Sequence, residues 1–416
     1  MLCARVWLVL LVLLTACGSA PPVPAEPKPP SEPQFGSSGD DTAVGVALAG
    51  EGDVYVVGNS ERFDTWPIDD RVFLRRYTRE GRLQWELLME PEAGTEGYAF
   101  YPDALAVAAD GEGSAYVAWA AAYQGHPVKP DFERVYLTKV SRRGERLWQR
   151  RTDPVTGLAV DGAGNVFVAA GGEGHLIKLT PSGGVVWERS GFAVPTGVTV
   201  TTAGDVAVIR EDGVVAKYTS NGEPLWQKRV FSSEGEGPYG RKIAAGTAGG
   251  LYVVGKHVYH ATSRPSCEGA TRYEERAYVR LYHLGPDGAA RWTRDVTDNH
   301  WVEDGCLGSF GWNPATALSV AADAVGNVFV ASGVARATDN PFRPTITDAL
   351  LVKYTPAGER AWQRTFGADQ DDYATGVAAR GEGEVYVVGV TTGDEGGYRD
   401  AFVHRVDGAG DRVWGR

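Results

Sequence analysis

Methionine is nearly absent from this 416-residue chain, which has 2 of them beside 12 tryptophans and 54 glycines. That balance argues against a helical bundle and for many short strands joined by tight turns. A basic excess is also missing. Lys and Arg number 41 against 53 Asp and Glu, and the net charge of -12 disfavours nucleic acid or anionic lipid headgroups as direct partners. The apolar run at the N-terminus, Val6 to Leu14, has nine residues. A bilayer span needs roughly 20. No G-x-S-x-G nucleophile elbow occurs. What is abundant is apolar mass: 43% of the residues are hydrophobic, enough for a large core.

Arg5 precedes the apolar run, which ends in Leu14-Thr15-Ala16-Cys17. This resembles the bacterial lipoprotein signal, in which the peptide is cleaved before the cysteine and that cysteine is lipidated. The resemblance implies a signal peptide over residues 1–16, a lipid on Cys17 and a membrane anchor in the cell envelope. The alternative is an ordinary secretory signal cleaved near Ala20. Gly18 stands where an aspartate would favour inner-membrane retention, which points to the outer membrane. Residues 18–34 contain seven prolines. Such a stretch favours extended polyproline II and reaches roughly 50 Å at ~3.1 Å per residue. Residues 17–34 are therefore read as a tether.

From residue 35 to 416 the chain repeats. Trp85, Trp148, Trp187, Trp226, Trp292, Trp362 and Trp414 each follow a glycine by four positions: Gly81, Gly144, Gly183, Gly222, Gly288, Gly358 and Gly410. Upstream in each repeat a second glycine opens an apolar stretch, as in GDVYVVG, GNVFVAA and GEVYVVG. Each repeat reads as four strands, a to d, with the tryptophan on d. Turns such as TPAGE and TSNGE join c to d, with Gly in the left-handed region of a bulged turn. Seven such units predict an all-β fold: a seven-bladed β-propeller of four-stranded antiparallel blades. Phe35-Gly36 and Asp40-Asp41 match Phe366-Gly367 and Asp371-Asp372, so residues near Gln34 and Phe35 are expected to complete the outer strand of the last blade.

The pattern A-x-G-V-A-x-x-x-x-G-x-V-Y-V-x-G with a later G-x-x-x-W is similar to the bacterial propeller repeats known as SBBP repeats. Residues 157–187 also resemble NHL repeats, and the Gly-to-Trp hairpin resembles PQQ-type repeats. The resemblance implies the propeller fold and no particular activity. Turns reading Pro-Ala-Gly-Glu, rather than Thr-Gly-Lys, speak against a quinone cofactor, and no cofactor is expected.

Long insertions fall between strands b and c and between d and a, which places them on one face. Variable loops on a rigid scaffold commonly carry binding. Repeats three and four lack insertions, their tryptophans standing 39 residues apart, so blades two and five should stand tall beside them. Their aromatics form the candidate ligand face: Trp119, Tyr123 and Phe132 on one side, Tyr239, Tyr259, Tyr273, Trp301, Phe310 and Trp312 on the other. Rings at a groove rim suit sugars or extended peptides. The competing reading is that they pack the loops onto the scaffold.

Catalytic constellations are sparse. His257 and His260 stand three apart, with alternate strand positions pointing to opposite faces, and no metal site is assigned. Asp161 and Asp323 open turns that lack a calcium-binding carboxylate set. The pairs Asp69-Asp70, Glu303-Asp304 and Asp371-Asp372 could serve glycoside chemistry, but are read as solvated surface charge. A basic residue lies nine positions before each tryptophan: Arg76, Lys139, Lys178, Lys217, His283, Lys353 and Arg405. It should lie diagonal to the indole across the c–d hairpin, with its cation on that ring.

With Cys17 lipidated, Cys267 and Cys306 remain as an even pair in an oxidising compartment and are expected to form a disulfide. The chain thus reads as a monomeric, envelope-anchored binding or interaction module for a protein, peptide or glycan. The alternatives are an envelope carbohydrate-active hydrolase or lyase, and a scaffold in envelope protein assembly.

Overall fold

The computed structural model describes residues 39–415 except 51, 62–69, 91–94, 96–98, 127–128, 130, 232–240, 266–270, 305–318, 339–344, 368–369 and 393–397. Residues Pro33–Arg416 form one compact unit. It is a seven-bladed β-propeller, each blade a four-stranded antiparallel meander in chain order. No helix among the described residues is long and apolar enough to cross a membrane.

Blade one holds β1 (Asp41–Ala49), β2 (Asp53–Ser60), β3 (Arg71–Tyr77) and β4 (Leu83–Leu88). Blade two holds β5 (Ala99–Ala109), β6 (Ala115–Gln124), β7 (Phe132–Val140) and β8 (Arg146–Thr152). Blade three holds β9 (Val155–Val160), β10 (Val166–Ala170), β11 (His175–Leu179) and β12 (Val185–Arg189). Blade four holds β13 (Pro195–Val200), β14 (Val206–Arg210), β15 (Val214–Tyr218) and β16 (Pro224–Arg229). Blade five holds β17 (Lys242–Ala245), β18 (Leu251–Pro265), β19 (Thr271–Leu284) and β20 (Ala290–Asp304). Blade six holds β21 (Ser319–Ala322), β22 (Val328–Ala337), β23 (Thr345–Tyr354) and β24 (Arg360–Phe366). Blade seven holds β25 (Asp372–Arg380), β26 (Glu384–Thr392), β27 (Arg399–Val406) and β28 (Arg412–Gly415).

The core lies between blades. Second strands such as VYVV and AYVA are buried on both faces, because each blade is covered by its neighbours on either side. The outermost strands alternate exposed and half-buried positions. Each c–d hairpin turns on a glycine at positive φ, for example +87° at Gly144 and +80° at Gly358, where an L side chain would be strained.

The same hairpins correct the expected diagonal pairing. Each turn is one residue shorter than expected, and a bulge follows it, so the basic residue pairs directly with the tryptophan. Lys139 opposes Trp148, Lys178 opposes Trp187 and Lys353 opposes Trp362. The extra residue of the bulge is turned outward, which leaves Leu147, Val186, Leu225 and Val413 about half exposed. The cation also faces a different ring. Lys139 Nζ lies 4.9 Å over Tyr116, Lys178 Nζ 5.1 Å over Phe167 and Lys353 Nζ 5.7 Å over Phe329. These rings sit on the second strand, opposite the lysine at the same register.

In blades two, three and six the strand b aromatic, strand c lysine and strand d indole thus form one row across the blade, and the row docks on the next blade; in blade four Ala207 replaces the aromatic. Pro181 O accepts from both Trp148 Nε1 (3.0 Å) and Lys139 Nζ (3.3 Å). Ser220 O accepts from Trp187 Nε1 (3.1 Å) and Lys178 Nζ (2.9 Å). Gly408 O accepts from Trp362 Nε1 (2.9 Å) and Lys353 Nζ (3.0 Å). Both lone pairs of one turn carbonyl are used, which leaves no orphaned acceptor at the blade junction.

β28 is shorter than β24 and pairs only with His404 to Val406 of β27. The residues near Gln34 and Phe35 expected to extend it lie outside the described residues. Between the described parts, the seam of blades seven and one closes through side chains. Thr375 Oγ1 donates to Ala43 O at 2.6 Å, and Arg79 pairs with Glu384 at 2.7 Å.

Candidate functional site

The expected difference in blade height is present, and it arises differently from the expectation. The insertions between strands b and c are largely strand extensions rather than loops. β6 and β7 run for 10 and 9 residues, and β18, β19 and β20 for 15, 14 and 15. β10, β11, β14 and β15 have only five each. Continued cross-strand pairing, from Ala115↔Val140 to Tyr123↔Phe132 in blade two, satisfies backbone groups that a loop would leave to water.

Where blade two steps down to blade three, an open cleft of about 580 Å³ forms. Phe132, Arg134 and Val135 line it from β7; Arg151, Asp153 and Pro154 line it from the end of β8 and the turn into β9. Phe132 stacks on Tyr123 with centroids 4.7 Å apart and planes 19° from parallel. The Arg134 guanidinium lies 4.4 Å over the Phe132 ring and 5.7 Å over Tyr123. Phe132 and Arg134 share a face because strand side chains alternate. The cleft therefore offers an apolar ring, two guanidinium groups, the Thr152 hydroxyl and two carboxylates, Glu133 and Asp153, along one concavity.

Two members of the expected ligand face belong to the packing instead. Trp119 and Tyr123 are fully buried. Trp119 stacks on Tyr136 at 4.6 Å, and its Nε1 donates to Thr138 Oγ1 at 3.1 Å. The Tyr123 and Tyr136 hydroxyls are hydrogen-bonded at 3.2 Å. Both satisfy their polar atoms internally, as buried rings must. Phe132 alone of that trio reaches the cleft. Tyr259 is the extra residue of a bulge in β18, Tyr273 pairs with Glu303, and Trp301 pairs with Glu275. Tyr239, Phe310 and Trp312 lie outside the described residues, as do Cys17, Cys267 and Cys306. Arg134 and Arg151 escaped the sequence reading; the alternation Phe132-x-Arg134 next to a turn was the available signal.

Other expectations resolve simply. Asp161 and Asp323 cap their turns: Asp161 Oδ1 accepts from Ala163 N (3.0 Å) and Asn165 N (2.8 Å), and Asp323 Oδ1 from Val325 N (3.1 Å) and Asn327 N (2.8 Å). Asp371 and Asp372, read as solvated charge, are buried, and Asp371 Oδ1 accepts from Thr347 N at 2.7 Å. The His257 ring packs 4.5 Å from Tyr278. Among the described residues no group of three or more His, Cys, Asp or Glu is placed to hold a metal. At the seam, burial and then neighbouring Asp70 and Asp40 push the Glu61 carboxyl up. Burial, then Asp41 and Asp40, do the same to Asp400.

No protein-family model matches the chain, and no curated protein matches it in sequence. Solved structures do resemble it. A protein of unknown function from Bacteroides caccae is 15% identical, with a TM-score of 0.37 over 61% of this chain and 81% of its own. BamB from Moraxella catarrhalis is 16% identical, with a TM-score of 0.34 over 68% and 82%. Virginiamycin B lyase from Staphylococcus aureus is 8% identical, with a TM-score of 0.44 over 83% and 90%. The class of this protein, a seven-bladed β-propeller, rests on its own strand topology.

Proposed function

We propose that this chain is a ligand-binding propeller of the bacterial cell envelope, held to a membrane by a lipid on Cys17, with its ligand seated at the step from blade two to blade three. The cleft carries this reading: an apolar ring with a stacked guanidinium, raised on an extended hairpin above two low blades. Such a combination suits a sugar face or an extended peptide, because the ring supplies contact area and the guanidinium orients carboxylate or hydroxyl groups. Glu133 and Asp153 both line the cleft, so turnover of a bound glycan would favour the hydrolase or lyase reading instead. The N-terminal signal and the proline-rich tether support the location.

A glycan and peptide binding screen on residues 33–416 tests the reading. Ligands found should lose about tenfold or more in affinity with Phe132→Ala and with Arg134→Ala. Ligands that bind both variants unchanged would move the site elsewhere. Palmitate labelling of the expressed full chain should disappear in Cys17→Ala.

A further inference from the structure

The seven innermost strands surround a cavity of about 180 Å³ on the propeller axis. One register position recurs around it, two residues before the inner-strand residue that opposes Tyr55, Tyr116, Phe167, Ala207, Tyr252, Phe329 or Tyr386 of the second strand. Its occupants are Gly45, Ala106, Gly157, Gly197, Lys242, Ser319 and Gly376. All seven line the cavity. Five of them project at most a methyl group, and packing explains why. A Cβ on Gly376 would meet Val388 Cγ2 at 2.9 Å, and one on Gly157 would meet Val198 N at 3.2 Å.

Lys242 breaks this pattern. Its amino group crosses to the carbonyls of Thr196 (3.3 Å) and Thr156 (3.5 Å), on the two preceding blades. Among the described residues lining the cavity there is no carboxylate and no second cation. Burial, with no opposing charge, pushes the Lys242 amine down from its ordinary value. An ammonium in such surroundings is costly unless a counter-charge joins it. Ser319, on the adjacent blade at the same register, has its oxygen engaged by Val377 N at 3.1 Å, which leaves its hydroxyl proton available for donation.

We propose that this axial cavity is a binding site for a small singly charged anion, a halide or the carboxylate of a small acid. Lys242 supplies its charge and Ser319 a hydroxyl donor. The site is separate from the cleft on blade two, and its failure would leave that reading intact.

Thermal unfolding of the full chain, titrated with sodium bromide and separately with sodium acetate, reads out the site. An anion bound only by the folded state shifts the folding equilibrium about 100-fold when it reaches roughly 100 times its Kd. Wild type should show a saturating rise in Tm relative to Lys242→Met, and Ser319→Ala should weaken it. A rise with bromide alone marks a halide site; a rise with acetate alone marks a carboxylate site. Equal salt responses in wild type and Lys242→Met would overturn the proposal and leave Lys242 as a plug hydrogen-bonded to carbonyls. Should Lys242→Met fail to fold, bromide-soaked crystals of the wild type decide: an anomalous peak beside Nζ supports the site, and its absence overturns it.

Discussion

Trp414, on the outer strand of the last blade, donates its indole N–H at 2.8 Å to the carbonyl of Arg79, in the turn of the first. The two residues are 335 positions apart. The same bond joins every consecutive pair of blades, from Trp85 to Arg142 O through Trp362 to Gly408 O. Ring closure therefore repeats the junction used everywhere else, joining the last blade to the first. Arg405 adds a second, longer donor to the same carbonyl at 3.4 Å.

The glycine above that indole should be intolerant of any side chain. Gly81 has φ +80°, and a Cβ there would meet Trp414 Cδ2 at 2.7 Å. Gly125 has a similar φ of +75° and open space around it. Gly125→Ala should cost only the left-handed penalty, about 1–2 kcal/mol. Gly81→Ala should cost more by about 1 kcal/mol or above, because the indole must shift. Denaturant unfolding of both variants measures the difference. Equal losses would mean that the indole contact adds nothing to the seam.

The spacing of glycine and tryptophan made the blades legible, since a turn and a strand four residues on must recur in every copy. It did not reveal that each tryptophan rests on the glycine of the following blade, because Trp148 and Gly183 are distant in sequence. The further bulge at the residue before each tryptophan, beyond the expected bulged turn, left no such signal, so the lysines face the strand b ring rather than the indole, whereas His283 lies 5.2 Å from Trp292. Residues 119–134 read as a loop because their small and aromatic residues lack strict alternation; pairing on both sides of β6 explains that composition. Lys242 drew no notice because a lone lysine in sequence is ordinarily a surface residue, and only closure of the ring brings it to the axis.

Asp53 joins blades one and two electrostatically. It is 3% exposed and pairs with Arg76 at 2.5 Å and with Arg142 of the next blade at 2.6 Å. Asp53→Asn keeps the shape and removes the charge shared by two guanidinium groups. Because the Arg142 side chain is 59% exposed, the loss should fall below the ~3–5 kcal/mol of a fully buried pair, at about 2 kcal/mol. Equilibrium unfolding should show it, and a change below about 0.5 kcal/mol would place the pair among ordinary surface bridges.

His404 should make the fold acid-sensitive. Its ring packs between Phe402 at 4.8 Å and Phe366 at 5.1 Å, and its Nδ1 has no hydrogen-bond partner. Burial, and secondarily Arg412, lower its pKa from 6.5 to about 3. Between those values the unfolded chain binds a proton that the folded chain refuses. Stability contributed by the neutral ring is therefore lost as pH falls through this window, by up to about 1.4 kcal/mol per unit. His404→Leu should flatten the dependence of unfolding free energy on pH across that range. An unchanged slope would mean that burial of the neutral His404 ring does not set the pH dependence.

The last expectation concerns the tall wall of blade five. Cys267 and Cys306 lie outside the described residues, but the strands that lead to them converge. Pro265 pairs with Thr271 on either side of the segment that contains Cys267. Arg272 pairs with Asp304, two residues before Cys306. The described strands that flank both segments therefore end on the same side of one sheet, with neighbouring strands ~4.8 Å apart. A Cα separation of ~4.4–6.8 Å suits a bridge. Closing this loop of about 40 residues should stabilise the fold by roughly 4 kcal/mol in the chain-entropy model. Paired exchange to Ser at 267 and 306 should then lower Tm, while either single exchange leaves one titratable thiol. Denatured, unreduced residues 33–416, secreted to an oxidising compartment, should show no free thiol at all. Two free thiols per chain would refute the bridge.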